Sequence, residues 1–253
     1  VALTYTDQWG REGGTDRPVV LYVPDNGGVQ VTVGPIPAGC VANVYMGAIN
    51  GSTLFLQGTR TTAGAVTVAT LRDDTTQCET VLLRAPQPAT RMATHNGMIL
   101  MAKGGTLSMT RPMQPHLVSR ARGFVQYADD IGDIMSDGAA VFVSADKCYA
   151  LTNVETDGIE QATVLEFPAI AGTSTQLPDG RVAWMTRYGQ AISKNGDLEL
   201  PNRQTFAPSP AASGAAGVVD TNGNQLIVTT TRGTQAGNQL AATDFYIGEI
   251  LNP

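Results

Sequence analysis

The sequence predicts an all-β protein in which a β-sandwich is followed by the blades of a β-propeller. Helical periodicity is nearly absent from the 253 residues. Short apolar stretches alternate with polar residues and end at Gly, Pro, Asn or Asp, which is typical of strands and turns. With 42% hydrophobic residues, 28 glycines and 14 prolines, the composition indicates a folded chain rather than a disordered or collagen-like one.

Residues 1–86 are predicted to form the sandwich. Turn signals such as Asn50-Gly51 separate short apolar stretches, and this density of strands is typical of a small β-sandwich. The segment Arg84-Ala85-Pro86-Gln87-Pro88 is predicted to be a stiff connector, because proline cannot donate to a strand ladder. The seven predicted strands are Val1–Thr6, Val19–Val23, Val29–Val33, Val41–Met46, Leu54–Gln57, Val66–Leu71 and Thr80–Leu83.

Residues 87–253 contain an internal repeat of turns. The glycines of four tight-turn signals are spaced 41, 42 and 43 residues apart. Asn-Gly and Asp-Gly supply the positive φ angles of type I′ hairpins, so each signal predicts a hairpin. The signals are Asn96-Gly97, Asp137-Gly138, Asp179-Gly180 and Asn222-Gly223. The strands expected after them are Met98–Ala102, Ala139–Ser144, Arg181–Thr186 and Asn224–Thr230, and the first three continue into Thr106–Met109, Cys148–Leu151 and Gln190–Ile192.

A strand-only period in the low forties is typical of propeller blades. One antiparallel meander cannot bury both of its faces, and stacking about four meanders around an axis buries them against each other. The alternative is a second sandwich whose hairpins are evenly spaced. No Trp-Asp dipeptide, a signature of some propeller blades, occurs in the sequence.

Charge and composition exclude several function classes. The net charge of −6 leaves no surplus of Lys and Arg for sequence-independent nucleic-acid binding. No apolar run approaches the ~20 residues of a membrane helix. Cys40, Cys78 and Cys148 are predicted to be buried free thiols, with a Cys40–Cys78 bridge as the alternative.

Four carboxylates cluster before the second turn, at Asp129, Asp130, Asp133 and Asp137. Ca²⁺ needs six to eight oxygen ligands. The spacing does not follow an EF-hand, so we interpret these residues as solvated loop carboxylates. The stretch Asp220–Asn224 contains a D-x-N-G sequence, which the hairpin turn already explains.

The candidate catalytic and basic side chains have structural interpretations. His95 and His116 are interpreted as loop histidines without partners, and no G-x-S-x-G elbow is present. The basic side chains Lys103, Arg111, Arg120 and Arg122 are interpreted as a solvated loop patch. No catalytic, cofactor-binding or metal-binding residue is predicted.

Several stretches resemble the β-propeller virion proteins of tailed bacteriophages. These stretches are Val1–Gly14, Val44–Met46, Ile131–Ser144, Arg181–Gly189 and Ala242–Tyr246. The resemblance implies that residues 1–86 are a fibronectin-like insert, with propeller sequence before Val1, and that residues 87–253 are part or all of a propeller.

The resemblance also implies a function. The chain is expected to be a non-enzymatic structural component of a phage tail, such as a nozzle, tip or fibre-docking piece of the DNA-ejection apparatus in the virion. Its expected partners are copies of itself and other tail proteins, with DNA passing without specific binding, no membrane insertion and no cofactor. The alternatives are a propeller that binds a host receptor or glycan, and a propeller glycosidase or lyase that uses Asp129 or Asp133.

Overall fold

The computed structural model describes residues 1–15, 17–72, 75–156, 158–204, 208, 210–233 and 245–250, the last range as backbone only. Within them the chain is all-β, as predicted, in several small antiparallel sheets and with no α-helix. It divides into two compact units. The first unit is Val1–Pro86 with His116–Arg122, and the second is Gln87–Pro115 with Gly123–Pro253.

The first unit contains two sheets and a short strand pair. Strands β1, β3 and β4 form a three-stranded sheet in the order β1-β3-β4, β2 pairs with β5, and β6 pairs with β10. Both larger sheets contribute to shared apolar clusters, in which Met46 of β3 packs with Val29 of β2 and Val68 of β5. The strands are β1 (Ala2–Thr6), β2 (Val29–Val33), β3 (Val41–Met46), β4 (Phe55–Arg60), β5 (Gly64–Val68) and β6 (Leu83–Arg84). Strand β10 (Gln114–Ser119) belongs to this unit from His116 onward.

The second unit is a series of antiparallel meanders, named here sheets A to D. Sheet A is β7-β8-β9 with β11 paired to β9, B is β12-β13-β14-β15, C is β16-β17-β18-β19 and D is β20-β21-β22. The strands of sheets A and B are β7 (Arg91–His95), β8 (Met98–Lys103), β9 (Thr106–Arg111), β11 (Phe124–Gln126), β12 (Asp133–Ser136), β13 (Val141–Ser144), β14 (Cys148–Thr152) and β15 (Glu160–Leu165). Those of C and D are β16 (Thr175–Gln176), β17 (Val182–Thr186), β18 (Gly189–Lys194), β19 (Asp197–Glu199), β20 (Ser213–Thr221), β21 (Asn224–Arg232) and β22 (Phe245–Ile250).

Successive sheets of the second unit share apolar clusters. Strand β13 shows how, because its side chains alternate between two neighbours. Val141 and Val143 pack with sheet A, whereas Phe142 packs with sheet C, where its ring lies 5.5 Å from that of Trp184. Ile227 of sheet D packs in turn with Ala183 and Ile192 of sheet C. This alternation is the period of two that places neighbouring strand residues on opposite faces.

The repeated turns were predicted correctly in position but only half correctly in type. Both residues of Asn96-Gly97 and of Asn222-Gly223 have positive φ, which confirms type I′ geometry there. In Asp137-Gly138 and Asp179-Gly180 only the glycine has positive φ, so the type I′ prediction is wrong. The reason is that each aspartate Oδ1 accepts the backbone N–H two residues on, at Ala139 and Arg181, which forms an Asx turn instead.

The predicted strand Val19–Val23 is not formed. The segment lies outside every sheet, and its side chains are exposed. Alternation of β-branched residues is enough to predict a strand, but a strand also needs a ladder of hydrogen bonds to a neighbour, and among the described residues the backbone of this segment bonds only to Val1.

Candidate functional site

A polar cavity of about 470 Å³ lies in the second unit. The first strands of sheets A, B and C line it, together with the turn after each strand. Its polar lining side chains are Thr94, His95, Asn96, Ser136, Asp137, Ser174, Thr175 and Gln176. Equivalent positions of consecutive repeats therefore converge on one space.

His95 stands at the edge of this cavity, and its interpretation as a loop histidine without partners is wrong. It is the last residue of β7, and its side chain is only 2% exposed. Its Nδ1 lies 2.7 Å from Ser136 Oγ, and its Nε2 lies 3.1 Å from Glu155 Oε1. The repeat places Ser136 one repeat spacing after His95, which brings the two residues together.

The Asn96 amide nitrogen also lies 3.3 Å from His95 Nε2. The Ser136 hydroxyl, the His95 ring and the Glu155 carboxylate, which can only accept, follow one another. This is the order of groups in a serine hydrolase triad. Here, however, Ser136 Oγ also accepts the Gly138 N–H at 3.2 Å. The contacts among these three side chains therefore join sheet A, which carries His95, to sheet B, which carries Ser136 and Glu155.

One hydrogen bond between sheets A and B has an equivalent between sheets B and C. Asn96 Nδ2 donates to Glu155 Oε1 at 2.6 Å, and the Gly196 N–H donates to Asp137 Oδ2 at 3.1 Å. In both pairs the partners are 59 residues apart. Each contact joins the first turn of one sheet to the third turn of the next sheet. The hydrogen bond from Asn96 is the main cause that lowers the pKa of Glu155.

Asp133 and Asp137 are not the solvated carboxylates that the sequence suggested. Asp133 is 6% exposed, and its Oδ2 accepts the Gly172 N–H at 2.9 Å. Burial raises the pKa of Asp133, against the opposing hydrogen bonds from Gly172 and Ser174. Asp137 accepts backbone N–H groups with both of its oxygens. Both carboxylates serve as acceptors between neighbouring segments.

The other predicted positions do not join the cavity. Asp129 and Asp130 are exposed, and no group of three potential metal ligands occurs among the described residues. Asp220 ends β20 with Thr221, before a plain hairpin turn. His116 lies in β10 rather than in a loop, and it belongs to the first unit with Arg120 and Arg122, whereas Lys103 and Arg111 belong to the second.

The cysteines are free, as predicted, although they are not equally buried. Cys78 and Cys148 are buried, whereas Cys40 is half-buried. Burial raises the pKa of Cys148 to about 11. The alternative Cys40–Cys78 bridge is not formed.

A cluster of aromatic and cationic groups lies at the β17–β18 turn, in which Phe167 is buried and the other members are exposed. The Arg187 guanidinium is 4.8 Å from the centre of the Tyr188 ring, and that of Arg203 is 5.8 Å from it. Phe167 packs edge-on against Tyr188 at 4.7 Å between ring centres. Neither arginine has a carboxylate partner in the described part of the chain. An exposed ring beside two cations is suited to an anionic ligand with an apolar face.

In the first unit, polar contacts hold the stretch Asp7–Glu12. Asp7 Oδ1 accepts the N–H groups of Trp9 and Arg11, at 2.9 and 3.0 Å. Glu12 Oε1 accepts from the Tyr45 hydroxyl at 2.8 Å and from the Thr4 hydroxyl. Burial and the contact with Glu12 raise the pKa of Tyr45. The two acids thus fix this turn onto β1 and β3.

No protein-family model and no curated protein matches the chain. A search of the described residues for a helix long and apolar enough to cross a membrane finds none.

Sequence reasoning missed Ser136 and Glu155 as partners of His95. The signal that would have found Ser136 is the repeat spacing of 41 residues itself, because that spacing relates side chains as well as turns. Glu155 lies on a connection between strands that was not predicted, so its place could not be read from that spacing.

Proposed function

We propose that this chain is a structural, non-enzymatic component of a bacteriophage tail. Its place would be a nozzle, a tip or a fibre-docking piece of the DNA-ejection apparatus. In this proposal the second unit is part or all of a β-propeller, and residues 1–86 are a fibronectin-like sandwich inserted in it. Copies of the chain and other tail proteins are its partners, and it neither binds DNA specifically nor inserts into membranes.

One observation carries the propeller part of the proposal. The links between sheets A and B recur between sheets B and C with the same separation of 59 residues, from Asn96 to Glu155 and from Asp137 to Gly196. A repeated link of constant separation supports a constant rotation from one sheet to the next, which is the geometry of propeller blades. The first strands that line the cavity would then face the axis.

The acidic balance supports a conduit that DNA passes without binding. The net charge is −6, and a negative wall repels phosphates rather than holding them. The tail assignment itself comes from the resemblance of the framework stretches to phage virion propellers.

Quantitative mass spectrometry of purified phage particles that carry this sequence tests the proposal. We expect the chain in several copies per particle, counted against the major capsid protein, because homo-oligomers of closed symmetry are the usual assemblies. A host protein of similar abundance in the lysate controls for contamination. A single copy per particle, or loss of the chain on purification, would contradict the proposal.

A second candidate function is favoured by the cluster of Phe167, Arg187, Tyr188 and Arg203. This would be recognition of an acidic host-surface polysaccharide by loops of the second unit. Adsorption of the purified chain to host cells and to a glycan array tests it. Tyr188→Ala should abolish adsorption, whereas Phe124→Ala, which removes another exposed aromatic ring, should not. If the unmodified chain does not bind, this candidate is eliminated.

A further inference from the structure

The most unusual surface of the first unit is the exposed segment Val19–Val23. Val20 and Tyr22 are 96% and 94% exposed, while Val19, Leu21 and Val23 between and beside them are between 39% and 56% exposed. This alternation is the pattern of an extended strand that rests one face on its own unit. Large apolar side chains exposed in a continuous row are rare in monomeric proteins and mark interaction sites.

One edge of this segment is used and the other is open. The Val19 N–H donates to the Val1 carbonyl at 2.7 Å. Because N–H and C=O groups alternate sides along an extended chain, those of Val20 and Tyr22 point away from Val1. Among the described residues they have no hydrogen-bond partner. An open edge of this kind is a template for an added strand.

The sequence around the segment is complementary to itself. Arg17-Pro18-Val19-Val20-Leu21-Tyr22-Val23-Pro24-Asp25 has a proline and an apolar run on each side of Leu21, with a cation at one end and an anion at the other. Arg17 and Asp25 are exposed, and neither has an ion-pair partner within the described part of the chain. Reversing the segment therefore places opposite charges and matching side chains together.

From this we infer that the Arg17–Asp25 segments of two copies of the chain pair as antiparallel strands about a two-fold axis at Leu21. Val20 then exchanges hydrogen bonds with Tyr22 of the second copy on both sides of the axis. The ladder ends where Pro18 meets Pro24, because neither has an N–H to donate. Arg17 of each copy meets Asp25 of the other. The inference names a contact for the self-association in the proposed function. It rests on that function only for the claim that copies of the chain associate.

A charge-swap experiment tests this pairing with the purified full chain in solution. Its readout is the dissociation constant from sedimentation at several concentrations. Arg17→Asp and Asp25→Arg should each weaken association about ten-fold, because each places like charges at both ends of the paired strands. An equimolar mixture of the two variants should associate as the unmodified chain does, since every end then has one Arg and one Asp. Loss in each single variant together with recovery on mixing requires that Arg17 of one copy meets Asp25 of the other.

Two further variants separate pairing from misfolding and from non-specific association. Tyr22→Lys should abolish the dimer, whereas Ile49→Lys should not, although Ile49 is also 94% exposed in the first unit. In a Cys40→Ser background, Leu21→Cys should form a disulfide-linked dimer, because facing residues at a non-hydrogen-bonded position lie close enough for the bond. The matched Ile49→Cys variant should form no disulfide-linked dimer on the same oxidation.

The inference is overturned by a chain that is monomeric at all concentrations, by single charge variants that associate like the parent, or by equal cross-linking at positions 21 and 49. The inference is also overturned if residues 17–25 become buried only when a different tail protein binds. None of these results bears on whether the chain occurs in phage particles, so the two proposals fail separately.

Discussion

The two units bury their apolar residues to different extents. In the second unit each sheet shares a cluster with the next, so β13 and β17 are buried over their whole length. By contrast, the first unit is the smaller one, yet it contains nine of the fourteen large apolar side chains that are exposed in the described residues. The difference indicates that the packing of each sheet on the next accounts for the stability of the second unit, while the first leaves more of its apolar surface exposed.

The largest effect should come from removing a side chain shared by two sheets. Trp184→Ala should lower the free energy of unfolding by about 3–5 kcal/mol, because the indole is 1% exposed between sheets B and C. Tyr22→Ala in the first unit should change it by less than about 0.5 kcal/mol. Urea unfolding followed by circular dichroism measures both. Equal losses would contradict the contrast between the units.

A smaller effect is expected at the turns that link sheets. Asp137→Ala should cost about 2 kcal/mol, because three backbone N–H groups lose a charged acceptor. Asp179 occupies the equivalent turn but pairs only locally with Arg181 at the surface. Asp179→Ala should therefore cost less than about 0.5 kcal/mol. Thermal unfolding of the two variants compares them, and equal losses would mean that the link to Gly196 contributes nothing.

The pH dependence of stability should reveal the buried carboxylate of the second unit. Burial raises the pKa of Asp133 above its ordinary value of 3.8, so the folded state holds its proton to higher pH than the unfolded state does. The free energy of unfolding therefore falls as the pH rises from about 4 through the folded pKa. Asp133→Asn removes this fall and keeps an acceptor for Gly172.

Urea titrations of the parent and of Asp133→Asn between pH 3.5 and pH 7 test this, with the variant gaining on the parent as the pH rises. Glu155→Gln is the control of opposite sign. The lowered pKa of Glu155 stabilises the fold above the unfolded pKa, and that stabilisation is lost as the pH falls through the folded value. A constant difference between parent and Asp133→Asn would contradict the prediction.

The smallest effect concerns the reactivity of the thiols of the two units. Cys40 of the first unit is half-buried, whereas Cys148 of the second is buried with a pKa of about 11. Alkylation of the native chain at neutral pH should label Cys40. Cys148 should be alkylated at least ~100-fold more slowly than an ordinary thiol, because the thiolate is the reactive form and a raised pKa lowers its fraction. Peptide mass spectrometry reads the sites, and the denatured chain is the control. Labelling of Cys148 at the rate of Cys40 would show that sheets B and C open readily.

Local signals predicted the strands of the first unit more fully than those of the second. Six of the seven strands predicted for residues 1–86 overlap β1 to β6, whereas the repeat predicted ranges for seven of the fifteen strands of sheets A to D. Asn96-Gly97 and Asn222-Gly223 carry their turn geometry in two residues, so the hairpins could be placed from sequence alone. The turn Asn195-Gly196 carries the same signal and was overlooked, and with it strand β19. Val19–Val23 failed for another reason, because the presence of a neighbouring strand is a property of the fold and not of the segment.

The polar links could not be predicted from motifs. His95, Ser136 and Glu155 come from separate positions of two sheets, and no short pattern joins them. Asp133 and Asp137 were assigned to solvent because clusters of acids usually lie there. Only the packing of sheet on sheet brings backbone N–H groups such as those of Gly172 and Gly196 against them.

The return of His116–Arg122 to the first unit has a consequence for biosynthesis. Leu83 and Arg84 find their strand partners at Ser119 and Val118, more than thirty residues later in translation. The first unit therefore cannot close until the chain has left the ribosome as far as Ser119. Sheet A begins to emerge before that closure, so a fragment cut at the proline connector should be released with β6 unpaired.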